Sequence, residues 1–408
     1  MRTETTLQTI HLLLTVAMQV VSSVHGVFHH FDLARELESL GHLQRIYSSF
    51  PWRRLAREGV PRERVRSFPW IHPALLAFER RVSLPKPVSQ TLHTRSMQIF
   101  DQWVAGKIED CDVLVALSGS GLKTGAVVQS RGGRYVCDRG SSHIRYQDAA
   151  VTEEYARWGF PLRACDPAMV RREEAEYERA DLITVPSEFA RRTFLEMGIA
   201  SEKVKKVPYG VRLDRFRKTG SPPQDRFEVL FAGTVSLRKG VPYLLEAFQR
   251  FQHPKKRLRI AGPVEPAMVQ TLRRFDLTHV EVLGRQTQPQ LAELMSTSHV
   301  MVLPSIEEGL ALVQGQALAC GCPLISSVNT GGEDLFTDGK EGFLVPIRSP
   351  ETIQRSLEKL ADAPGLQGEM SVAALERVTS IGGWRDYGLA YVSVLNDLLQ
   401  KHSENIPR

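Results

Sequence analysis

Residues 302–325 read VLPSIEEGLALVQGQALACGCPLI, and their reading decides the fold. VMVLP (300–304) is a short, wholly apolar run of strand type, and PLISS (323–327) is another. Between them Pro304 and Gly309 frame a loop, and Ala311 to Ala319 is strongly helix-forming. A strand, a loop, a helix and a second strand make the repeating unit of a parallel sheet. The loop holds adjacent carboxylates, Glu307 and Glu308, ahead of 309–332, where no charged residue occurs. A glutamate at a helix start complements the helix dipole, worth roughly 0.3–1 kcal/mol. Two carboxylates before so long an uncharged stretch exceed that need and mark the helix mouth as a candidate binding site.

The same grammar extends outward. FEVLFAG (227–233), LRIAG (258–262) and VEVLG (280–284) read as strands separated by helical patterns such as VPYLLEAFQRF (241–251). Toward the amino terminus, strands are expected at 19–24, 113–117, 135–137, 182–186 and 204–207. SEFARRTFLEMG (187–198) reads as a helix with Ser187 as N-cap and Gly198 as its stop. A further helix carries Phe28, Phe31, Ala34 and Leu37 at three-residue spacing and ends at Gly41. RKTGSPPQDR (217–226) has no periodicity and reads as a linker. The expected fold is α/β, two doubly wound parallel-sheet (Rossmann-like) domains facing a cleft. The divisions are a tail over 1–17, domains over 18–216 and 227–385, and a C-terminal helix over 386–408 packing back on the first domain. Ligands of such folds bind beyond the carboxyl ends of the strands.

The 408 residues, 42% apolar and 24% charged, suit two globular domains rather than one. Five scattered cysteines (111, 137, 165, 320, 322) match neither a zinc site nor a disulfide framework, which favours packing roles in a reducing compartment. IHLLLTVAMQVVSSV could pass as a secretory leader, but no lysine or arginine lies between Arg2 and Arg35 and no cleavage site follows. Its apolar part is too short to span a bilayer. The net charge of +6 is mild. Much of it lies in PWRRLAREGVPRERVR (51–66), a solvated face or a contact for an anionic membrane or acceptor. Basic residues are not interleaved with aromatics on one face, so nucleic acid is not expected as a partner.

The strand ends supply the candidate site residues. Gly233 permits a tight turn, and Arg238 and Lys239 precede a helix N-terminus, a pairing suited to a diphosphate. At the opening stretch, Glu308 can accept hydrogen bonds from sugar hydroxyls, and Gly309 leaves the backbone open to a ligand. Gln316, in the next turn, can bracket a ribose. Gly331-Gly332 allows another close approach. In the first domain, Gly26 could bring backbone N–H groups against a phosphate. His29 and His30 read as surface or capping residues, and His143 lies in a polar loop expected to face the cleft.

Taken together, ERADLITVPSEFARRTF, VPYGVRLDRF, FAGTVSLRKGVPYLLEAF and VLPSIEEGLALVQGQALACGCPLI, with the GG-E-D loop, resemble the retaining glycosyltransferases of the GT-B type called family 4, or group 1. The resemblance runs from about Met18 to the C-terminal helices. Its signature is a glutamate, seven residues, then a second glutamate. Glu308 matches the first, which contacts the donor sugar; the second, which binds the ribose, is Gln316 here. An amide keeps one acceptor and gains two donors, so the change bears on affinity more than on reaction class. Thr234 stands where many members carry arginine, leaving Lys239, helped by Arg238, as the diphosphate contact. The resemblance also implies donor-side roles for His143 and Gly26, and for the loop residues Glu307, Gly309, Leu310 and Ala311.

What the resemblance implies is sugar transfer from a nucleotide-diphosphate sugar, UDP- or GDP-linked, to an acceptor hydroxyl with retained anomeric configuration. It implies no metal and no cofactor. The acceptor would be a carbohydrate or lipid-linked molecule, in polysaccharide, glycolipid or glycoconjugate synthesis, and the site cytoplasmic or on the cytoplasmic membrane face. The alternatives are a nucleotide-sugar epimerase or hydrolase of the same fold, and a non-catalytic GT-B subunit in which Gln316 and Thr234 mark decay.

Overall fold

The computed structural model describes residues 18–404, so the expected tail over 1–17 lies outside the described residues. The first domain is built on β1 (Val20–Val24), β2 (Leu43–Ser48), β3 (Val65–Ser67), β4 (Val113–Leu117), β5 (Arg134–Asp138), β6 (Leu182–Val185) and β7 (Val204–Lys206). The second is built on β8 (Phe227–Ala232), β9 (Lys256–Ala261), β10 (Val280–Gly284), β11 (Val300–Leu303), β12 (Leu324–Ser327) and β13 (Gly342–Val345). Every pairing within these sheets is parallel. The orders are β3-β2-β1-β4-β5-β6-β7 and β10-β9-β8-β11-β12-β13. In each, the chain starts in the middle and winds both ways, so strand order reverses beside the first strand: at β1/β4 and at β8/β11. Loops diverge at these two points and leave crevices.

The central strands β1 and β8 are buried along their whole length because helices cover both faces. All of Phe227–Ala232 is buried, Glu228 included, whose carboxylate is met by Arg226, Arg257 and Arg259. Helix Glu188–Glu196 starts as its sequence dictates: the Ser187 hydroxyl accepts from the Ala190 N–H, and Gly198 leaves the helix at φ 86°. Three strands are not legible as apolar runs. In β2, Gln44 and Arg45 reach out to carbonyl oxygens at the surface, while β3 and β13 are only three and four residues long.

Two segments bridge the domains. Near residue 210 the chain passes against Gly383 so closely that a Cβ on Gly210 would lie 2.4 Å from that residue's backbone. Helix Trp384–Glu404 then crosses to the first domain, where Tyr391 Oη lies 2.9 Å from Thr184 Oγ1 and Arg385 donates to Ser39 Oγ. The five cysteines are free.

The region after β1 departs from expectation. The helix begins at His30, and Phe31, Ala34 and Leu37 are buried, but Phe28 is not part of that face. It lies before the helix, 61% exposed, with φ 45°. The basic run 51–66 is partly internal: Arg54 pairs with Glu58, Arg64 with Glu38, and Arg62 stacks on Trp52.

Candidate functional site

The second domain's reversal point holds a cavity of about 560 Å³. Its floor is the carboxyl ends of β8 and β9, where Gly233 (φ 147°) and Gly262 (φ 151°) approach so closely that a Cβ on Gly262 would lie 1.8 Å from the Gly233 carbonyl oxygen. Only glycine fits there. Lys239 and Glu308 form one wall, and their side chains make an ion pair. Leu310, Ala311 and Gln316 form another, at the start of helix Leu312–Ala319, whose first N–H groups have no partner in the helix. Arg285 and Gln286, just past β10, complete it.

The cavity therefore gathers seven residues marked in the sequence: Gly233, Thr234, Lys239, Glu308, Leu310, Ala311 and Gln316. Arg285, Gln286 and Gly262 were missed, although each sits at a strand end, the position that should have drawn attention to them. Chemically the wall is a partly exposed cation beside a buried carboxylate, a helix start and an exposed arginine. Such a set binds an anion next to hydroxyl groups.

Three marked residues instead form the seam between the domains. Glu307, adjacent to Glu308, turns away from the cavity and is fully buried. Its Oε1 accepts hydrogen bonds from Ser141 Oγ (2.7 Å) and Ser142 Oγ (2.6 Å) of the first domain, and its Oε2 accepts from Gln147. Arg238, expected on a diphosphate, is spent on Glu307, with Nη2 2.8 Å from Oε2 and Nε 3.1 Å from the backbone carbonyl oxygen. Burial alone would raise the Glu307 carboxyl, but Arg238 and the two serine hydroxyls outweigh it and hold it down to about 2. Gly309 is not open to a ligand either: its backbone lies against that of Gly140, and its carbonyl accepts from Ser187 Oγ at 2.5 Å.

Two other expectations are corrected. Gly26 has φ 128°, but the space a side chain would need holds the Phe28 ring rather than a phosphate. His143 does not face the cleft. It is 2% exposed, its ring lies 4.9 Å from Tyr177 and from Phe194, and Nδ1 accepts from the Arg145 N–H to cap the next helix. Burial, helped by Arg139, lowers its pKa to about 4. It lines a separate hollow of about 360 Å³ on the first domain.

A pair of histidines stands in the first domain at its own reversal point. His29 Nε2 is 2.6 Å from Asp138 Oδ2, at the end of β5, and His30 Nε2 is 3.1 Å from the same oxygen. These three are the grouping among the described residues with ligand chemistry for a cation.

Residues 214–377 match the family described as Glycosyl transferases group 1. A D-inositol 3-phosphate glycosyltransferase of Streptomyces scabiei is 31% identical over 224 residues, 49% of this chain and 50% of that protein. The MMP alpha-(1->4)-mannosyltransferase of Mycolicibacterium hassiacum is 23% identical over 401 residues, 89% of this chain and 92% of that protein. The match thus spans about half the length of the first of these relatives. Sucrose-phosphate synthase from Thermosynechococcus elongatus superposes with a TM-score of 0.70 at 18% identity, covering 94% of this chain and all of that one. Anabaena HepE in complex with UDP does so at 0.68 and 14%, covering 93% of this chain and all of that one. The fold is GT-B, and the likeness to group 1 glycosyltransferases read from the motifs holds.

Proposed function

We propose that this chain is a retaining, metal-independent glycosyltransferase that moves a sugar from a UDP- or GDP-linked donor to a carbohydrate or lipid-linked acceptor hydroxyl. The observation that carries the reading is the ion pair of Lys239 and Glu308 on the wall of the reversal-point cavity, with Gln316 beside it. Lys239 and the start of helix Leu312–Ala319 neutralise the departing diphosphate, the work a metal would otherwise do. Arg285 adds a second cation. Glu308 accepts hydrogen bonds from the sugar and stabilises the positive charge that develops at the anomeric carbon. Gln316 takes the ribose hydroxyls through its amide.

Residues 68–99 support a peripheral contact with an anionic membrane on the cytoplasmic face. Helix His72–Glu79 (HPALLAFE) buries none of its residues, and Trp70, Phe78, Val82, Val88 and Leu92 are exposed close by in sequence. Arg80 and Arg81 are exposed among them and pair with no carboxylate among the described residues. Apolar side chains framed by unpaired arginines suit an anionic interface. Among the described residues no helix is long and apolar enough to cross a bilayer.

The test is a thermal-shift screen against UDP, GDP, ADP and their sugars, followed by turnover with and without acceptor glycosides. Stabilisation by one nucleotide with acceptor-dependent release of its diphosphate is the expected result. Release that ignores acceptors would favour hydrolysis, and no stabilisation by any nucleotide would defeat the reading.

A further inference from the structure

The linker between the domains borders a hollow that the donor cavity does not use. Its volume is about 700 Å³, and it lies at the amino-terminal ends of β8, β9 and β11, the opposite edge of the sheet from the donor cavity. Linker residues 221–226 form one wall and helix Pro364–Ile381 another. Phe227 closes the bottom, with the His299 ring stacked on it at 4.7 Å.

Two properties of these walls select a ligand. First, the charge is unbalanced. Asp225 is the carboxylate among the described lining residues, and Arg226 stands 3.5 Å from it. Lys218 and Lys255 are exposed at the same hollow and pair with no carboxylate among the described residues. Lys218 Nζ donates to Ser371 Oγ at 3.3 Å, which uses one of its three protons. Second, much of the remaining wall is apolar: Pro222, Pro223, Phe227, Leu360 and Val372, the last 58% exposed. Gly368 lies four residues before Val372 on the same helix face, and a Cβ there would meet nothing within 4 Å. An inorganic anion would leave the apolar wall wet, and a neutral apolar molecule would leave both cations unmatched. The volume is that of a site for a whole small molecule.

The hollow also touches both chain crossings between the domains. The linker is one of them; helix Pro364–Ile381 runs through Gly382 and Gly383 into helix Trp384–Glu404, the other. His299 pins the linker to the sheet: Nδ1 accepts from the Glu228 N–H at 3.0 Å, and the ring also bonds to the Pro223 backbone.

We propose that this hollow is a second ligand site, for an organic anion with an apolar body, and that the bound anion holds the linker against helix Pro364–Ile381. Lys218 and Lys255 take the charged head, and the prolines, Leu360 and Val372 take the body. The site goes beyond the glycosyl-transfer reading and stands whether or not that reading does, since none of its residues lines the donor cavity.

The experiment titrates the full chain by calorimetry with octyl phosphate, inorganic phosphate and octyl glucoside, each below its micellar concentration. Octyl phosphate should bind one to one, ~10-fold or more tighter than either of the others. Replacing both lysines (Lys218→Ala with Lys255→Ala) should weaken it ~10-fold or more. Gly368→Trp should fill the hollow and abolish binding. Val372→Glu, at an exposed position the fold tolerates, should repel the head and gives the same answer if Gly368→Trp does not fold. Amide exchange over residues 217–227 should slow ~3-fold or more when octyl phosphate is bound. Equal binding of inorganic phosphate or of octyl glucoside overturns the proposal, as does full octyl phosphate binding in Val372→Glu or in folded Gly368→Trp. Binding without slower exchange over 217–227 overturns the hold on the linker. Loss of nucleotide binding by the unaltered chain would defeat the glycosyl-transfer reading and leave this site standing.

Discussion

A Cβ on Gly309 would lie 2.1 Å from the carbonyl oxygen of Gly140, across the seam between the two domains. No side chain fits there without moving one domain against the other. Gly309→Ala should therefore open the seam and lower turnover by ~10-fold or more, because a small misplacement of reacting groups is costly. Kinetics with small-angle scattering would check this; full activity at unchanged dimensions would contradict it.

Lys239 and Glu308 neutralise each other inside the cavity. Removing Lys239 leaves a carboxylate with little exposure and without its ion-pair partner, so Lys239→Ala should weaken nucleotide diphosphate binding by ~10-fold or more. Glu308→Gln should lower kcat by ~100-fold or more while leaving the melting temperature near that of the unaltered protein. Calorimetric titration with the nucleotide and a melting curve separate the two effects.

The Glu307 latch has a pH signature. Its carboxyl has an ordinary value of 4.5 and sits at about 2 in the folded chain. A lowered carboxyl stabilises the fold fully above its unfolded value and loses that stabilisation as pH falls through its folded value. The loss therefore spans about pH 4.5 to about 2, on the order of 3 kcal/mol in all. Glu307→Gln should melt earlier at neutral pH and lack this acid limb; melting temperatures from pH 2 to 7 would reveal it.

His143 lies outside the cavity, and its substitution should act on stability alone. His143→Ala removes a helix cap and a buried ring, at a cost of about 1–3 kcal/mol. Turnover at a temperature where the variant is folded should match that of the unaltered protein. A large fall in kcat would return His143 to the site.

Restoring a carboxylate at the ribose position tests the one departure within the signature. Gln316→Glu should tighten nucleotide binding by ~3–10-fold, since hydrogen bonds from hydroxyls to a carboxylate are stronger than to an amide. Weaker binding would indicate that the amide donors of Gln316 are in use.

Reading the chain by itself located the strand ends, and with them Gly233, Lys239, Glu308 and Gln316 in one cavity. That is possible because a strand, its glycine turn and the next helix are local: period, turn residues and caps lie within about twenty residues of each other. Tertiary structure decided which of two adjacent carboxylates faces the ligand. Glu307 turns toward Ser141 and Ser142, more than 160 residues away in the chain, while Glu308 turns toward Lys239. Neighbouring loop residues point in different directions, and only the docked domain fixes which is which. The same reason separated the histidines. His143 and His29 both follow strands, yet packing buried one against Tyr177 and Phe194 and set the other beside Asp138 at the seam.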